Sequence, residues 1–120
     1  MGGETEKLMA QTGIRRSERV LLDVPVVIRG DSPDHHPFRE ETYTVTVSAH
    51  GALLMLEAKV VPGQKVVVMN PKNWDEREVR VAYVGPDRAG LAQVAVEFAH
   101  PTPEFWSLES PPANWKTGYV

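Results

Sequence analysis

Cysteine is absent from this 120-residue chain. That absence removes disulfide cross-links, thiolate metal sites and thiol nucleophiles from consideration. A basic excess is missing too. Thirteen Lys and Arg stand against sixteen Asp and Glu, a formal net charge of −3, so the chain as a whole does not attract polyanions. Any anion it binds must be held by a local cluster. Long apolar runs are also lacking, since nothing approaches the roughly 20 residues of a membrane span. Residues 1–13, MGGETEKLMAQTG, are polar and interrupted, without the basic start and apolar stretch of a secretory signal. Gly2 follows Met1, but Glu6 stands where a myristoylation site prefers Ser or Thr. A cytoplasmic protein with no membrane partner is expected. The sequence also contains no Gly-x-Ser-x-Gly elbow and no glycine-rich phosphate loop leading into a helix. An enzyme is not expected.

What remains is globular in composition, with 42% apolar and 24% charged residues, and of a length that suits one domain. Residues 1–13 carry no sustained period and read as a flexible tail. From Val20 to Ile28, VLLDVPVVI is strand-like, although Pro25 cannot donate to a ladder and therefore implies an edge or a bulge. Asp31 to Phe38 reads as a loop with two prolines and two adjacent histidines. Further strands are expected at Thr42–Val47, Ala52–Leu56, Lys65–Met69, around Val79–Tyr83, and at Leu91–Phe98. In the fifth of the six, Val79, Val81 and Tyr83 should point one way and Arg80 and Ala82 the other. Val61-Pro62-Gly63 is a type II turn signal, because Pro presets φ and Gly takes the positive value. Six short strands without a helical period predict an all-β antiparallel barrel or sandwich. After them, Thr102-Pro103-Glu104 resembles a helix start with a hydroxyl cap. Phe105, Trp106 and Leu108 would then cover an open end of the sheet, and Pro111-Pro112 would stop the helix.

Two segments carry chemistry. Arg15-Arg16-Ser17-Glu18-Arg19 places three guanidinia just before the first strand of an acidic chain. Guanidinium offers forked donors to phosphate and stacks on aromatic or purine faces. A solvated charged linker is the plain alternative. The second segment, Thr46-Val47-Ser48-Ala49-His50-Gly51, ends a strand in a tight turn with a small hydroxyl and a glycine.

Arg15-x-x-x-Arg19, followed by the Ser48-x-x-Gly51 turn between the second and third strands, resembles the PilZ domain. Members of that family carry an RxxxR motif and a later [Asp/Asn]-x-[Ser/Ala]-x-x-Gly motif on a small six-stranded barrel. The resemblance covers Arg15 to Phe98, and Pro103 to Trp115 is similar to the capping tail of some PilZ-like bacterial proteins. It implies a six-stranded antiparallel β-barrel over 14–100, closed by a short C-terminal helix or turn within a capping segment, 101–120. It further implies binding of the bacterial second messenger cyclic di-GMP and no resident cofactor. Arg15 and Arg19 would grip phosphate and stack on guanine, with Arg16 assisting. Ser48 matches the hydroxyl position, and Gly51 the turn glycine, expected at positive φ and open to ligand.

Thr46 departs from the family pattern, which has Asp or Asn there. A threonine hydroxyl cannot accept both N1–H and N2–H of guanine as a carboxylate can. Its loss of charge-assisted bonds is worth about 10–100-fold in affinity. Two readings follow: an effector module whose mobile arginine segment, as far as Arg19, is ordered by the ligand, or a degenerate domain serving as a scaffold for an unidentified effector protein. An oligonucleotide-binding barrel is the weaker third, and the net charge argues against a nucleic-acid partner. His35 and His36 read as a solvated loop, because adjacent residues point apart and no further ligand pair lies nearby. Trp106 and Trp115 read as packing residues and Trp74 as part of a loop.

Overall fold

Valine dominates the alternating positions between Val20 and Phe98, and a stiff β-branched side chain is accommodated well on a pleated surface. In the computed structural model, which describes residues 17–116, these segments form β1 (Val20–Leu21), β2 (Pro25–Asp31), β3 (Pro37–Ser48), β4 (Gly51–Leu56), β5 (Lys65–Asn70), β6 (Asp75–Val84) and β7 (Ala92–Phe98). All pairings are antiparallel, in the order β1-β3-β2-β5-β6-β7-β4, and a β3–β4 pairing joins the ends. The six longer strands thus close a barrel. Val26, Ile28, Val47, Leu54, Val66, Val68, Val79, Val81, Val94 and Val96 fill its interior. The tail expected over 1–13, and both Arg15 and Arg16, lie outside the described residues.

β1 and β2 are one strand interrupted. Leu21 pairs with Thr46 and Pro25 with Tyr43, both on β3. Between them the buried Thr44 hydroxyl donates to Leu22 O at 2.6 Å and accepts from Val24 N at 2.8 Å. The side chain supplies what the broken ladder lacks. Pro25 does not mark a sheet edge, since β2 lies between β3 and β5; it follows a bulge-like irregularity in which residues 22–24 face only 44 and 45 of β3, and as the first residue of its strand its missing N–H is tolerated.

Other boundaries also moved. β3 begins at Pro37 rather than Thr42, because β2 and β3 extend together as a hairpin arm with Asp31 opposite Pro37. Only 32–36 remain as its tip. Gly63 does take positive φ, 91°, with Gln64 N donating to Val61 O at 3.1 Å. Tyr83 points outward, not inward with Val79 and Val81. An extra residue, Ala82, lies between the Val81–Val96 and Tyr83–Ala95 pairs, and one inserted residue reverses the inside–outside phase.

The expected helix over Thr102-Pro103 is a 3-10 turn, Pro103–Trp106, and Thr102 does not cap it through its side chain. That hydroxyl donates to His100 O instead, at 2.8 Å. Phe105 and Trp106 are buried against Phe98, with Phe105 and Trp106 edge to face at 4.9 Å, and they plug one end of the barrel. Pro111-Pro112 precedes a second helical turn, α1 (Ala113–Lys116), rather than ending the first.

Candidate functional site

The Ser48–Gly51 turn between β3 and β4 has its carbonyls taken by later parts of the chain. Ser48 O accepts from Trp106 Nε1 at 2.8 Å. Ala49 O accepts from Thr102 N at 2.7 Å, and His50 O from Phe98 N at 2.8 Å. Leaving such groups unpaired away from water would cost about 1–3 kcal/mol each, so the plug and the turn specify each other. Ser48 Oγ accepts from His50 N at 3.2 Å, which ties the hydroxyl into its own turn.

Gly51 is required for a different reason from the one expected. Its φ lies outside the left-handed region, but a Cβ there would stand 2.0 Å from Val96 O. Close approach of β7, not turn geometry, excludes every other residue.

The arginine segment reaches the same place. Ser17 is buried, with Oγ 2.9 Å from His50 Nδ1. Glu18 is held at both backbone groups: its N–H donates to Asn114 Oδ1 at 3.1 Å, and its carbonyl accepts from Trp115 Nε1 at 2.7 Å. Where a loose segment as far as Arg19 was expected, Ser17 and Glu18 are hydrogen-bonded in place, because α1 reaches back to them. Arg19 then carries an exposed guanidinium that forms no ion pair among the described residues.

These residues border one groove of about 490 Å³ on the outside of the barrel. Ser17, Arg19, Thr46, Ser48, His50 and Gly51 line one side, and Ala82, Tyr83, Gln93, Ala95 and Glu97 the other. Leu53 lies between. Thr46 faces outward on β3, opposite Leu53 of β4. Glu97 carries the only carboxylate of the lining, and Arg80 pairs with it across the β6–β7 ladder. A groove with an exposed guanidinium, hydroxyls, an amide and one acid paired to an arginine is suited to an anion with polar edges. Among the described residues, no three His, Asp or Glu side chains gather as a metal site would require. The His36 ring at the hairpin tip lies 3.1 Å from the exposed Asp34 carboxylate, and that carboxyl is held below its usual range mainly by the Ser32 hydroxyl.

The structure therefore brings Arg19, Thr46, Ser48 and Gly51 together, while Arg15 and Arg16 fall outside the described residues. Residues 14–107 match the family model of the PilZ domain. The chain belongs to the PilZ domain family. Among solved structures, this PilZ domain is similar to YcgR in complex with c-di-GMP from Escherichia coli, with 18% identity, a TM-score of 0.51, and coverage of 74% of this chain and 39% of that one. It is also similar to the Bacillus subtilis inhibitor of motility, MotI/DgrA, with 15% identity, a TM-score of 0.48, and coverage of 74% and 44%. The chain spans less than half the length of either. No curated protein matches it. Among the described residues no helix is long and apolar enough to cross a membrane.

Sequence reasoning missed Ser17, Tyr83 and Gln93 at this PilZ groove, and Asn114, which holds Glu18 beside it. Ser17 lay in plain view between arginines, but its partner His50 is 33 residues away. Tyr83 is grouped with Val79 and Val81 by simple alternation, because a bulge leaves no mark in the sequence pattern.

Proposed function

We propose that this PilZ domain binds cyclic di-GMP in the groove, as a receptor module without a chemical step. The observation that carries the reading is the meeting of Arg19 with Thr46, Ser48 and Gly51 on one surface, within the fold that YcgR presents in its complex with c-di-GMP. Arg19 supplies a fork of donors to a phosphate and a planar cation to stack on a purine. Arg15 and Arg16, just ahead of it in sequence, would supply further guanidinia. Ser17 and Glu18 are already fixed, so the ligand orders less of the chain than a fully loose segment would demand, and less of the binding energy is lost to ordering. Thr46 favours the second reading, a domain that has lost the nucleotide and serves as a protein scaffold.

Calorimetric titration of the full chain with cyclic di-GMP separates the two. The wild type is expected to bind, and Arg19→Ala to abolish binding with Tm nearly unchanged, because an exposed arginine contributes little to the fold. A folded wild type that takes up no cyclic di-GMP, or an Arg19→Ala variant that binds as the wild type does, overturns the proposal.

A further inference from the structure

Tyr83 stands at the end of the groove away from the arginine segment, and its position is built rather than incidental. The bulge at Ala82 turns it out of the barrel, while Val84 beyond it returns to pack against the core. The ring is 54% exposed although it belongs to a strand whose preceding apolar residues are interior. Gly85 lies beneath it: a Cβ on Gly85 would be 3.5 Å from both Cε2 and Oη of Tyr83. The ring thus lies over the Gly85 backbone, where a side chain at position 85 would touch it.

Strand register places it in a line. Thr46 is opposite Leu53, Leu53 opposite Ala95, and Ala95 opposite Tyr83. These four half-buried or exposed residues form one row across the outer face, and three strand spacings of about 4.8 Å put Thr46 and Tyr83 roughly 14 Å apart. Between them the floor is low, made of an alanine and a leucine. Such a row has cationic and hydroxyl groups at one end, an aromatic plate at the other, and space between. Phosphate chemistry alone would not use the far end.

We propose that Tyr83 is a base-stacking residue of this groove, taking one guanine of the ligand against its ring while Arg19 holds phosphate at the opposite end. The inference rests on the cyclic di-GMP reading and adds to it the residue that engages the second half of the ligand. Stacking of a base on an aromatic side chain is tolerant of base identity and is lost on truncation to alanine.

The test titrates the full-length wild type, Tyr83→Ala, Tyr83→Phe and Arg19→Ala with cyclic di-GMP. It also follows guanine H8 of the ligand by NMR. Tyr83→Ala should weaken binding about tenfold or more with Tm little changed, Tyr83→Phe should bind as the wild type, and H8 should move upfield with the wild type and Tyr83→Phe. If Tyr83→Ala binds as tightly as the wild type while Arg19→Ala fails, the stacking role is overturned and the groove reading stands. If Tyr83→Phe is as weak as Tyr83→Ala, or H8 does not shift, the ring is not the contact. A folded wild type that does not bind overturns both readings.

Discussion

At position 51 the neighbouring strand decides the residue. A methyl group there would have to occupy the place of Val96 O, and backbone carbonyls do not move aside cheaply. Gly51→Ala should therefore destabilise the barrel by at least about 2–3 kcal/mol, lowering Tm by on the order of 10 °C; thermal denaturation checks it. A weak ligand affinity in that variant would then report a displaced β4, not a lost contact. Thr46 is the opposite kind of residue. Facing outward and half-buried, it can accept a carboxylate that stays partly hydrated. In the cyclic di-GMP reading, Thr46→Asp should tighten binding by about tenfold, one regained charge-assisted pair with guanine N1–H and N2–H. Cyclic di-AMP, whose base lacks that pair of donors, should gain little. Equal affinities of wild type and variant would mean that position 46 does not meet the base edge.

Among the elements, the barrel strands were legible because inward valines alternate with outward polar residues from Val26 to Val96. What stayed hidden has a physical cause in each case. Arg39, Glu40 and Glu41 pair with β2 on one side but have no β4 partner on the other, and their charge and weak strand propensity left them outside the expected strand. The interruption at 22–24 depends on a hydroxyl 22 residues away from the carbonyl it bonds. The helical turn α1 is too short to show a period, yet it contributes two hydrogen bonds to Glu18. Trp115→Phe keeps an aromatic ring at this buried position, though a smaller one, and removes the Nε1–H donor. It should raise hydrogen exchange at the Glu18 and Arg19 amides and lower cyclic di-GMP affinity about three- to tenfold, in line with one hydrogen bond of roughly 1 kcal/mol. Unchanged exchange at both amides would show that the tryptophan only packs.

For the molecule as a whole, the fold and the near side of the groove were readable from one sequence, and the far side was not. The legible half comes from residues close in sequence to one another, Arg19 beside β1 and Thr46 to Gly51 around one turn. The illegible half, Tyr83, Gln93 and Glu97, is assembled only when β6 and β7 close the barrel. Closure also brings Glu18 to residues 96 and 97 positions further along. Glu18 sits between Ser17 and Arg19 of the groove lining, so in the cyclic di-GMP reading its bonds to α1 link the groove and the C-terminal segment thermodynamically. If a protein grips α1 and thereby loosens Glu18, it weakens the ligand by some factor, and the ligand must weaken that protein's grip by the same factor. The bonds from Asn114 and Trp115 would then let the domain read out an occupied groove with no change in the barrel itself.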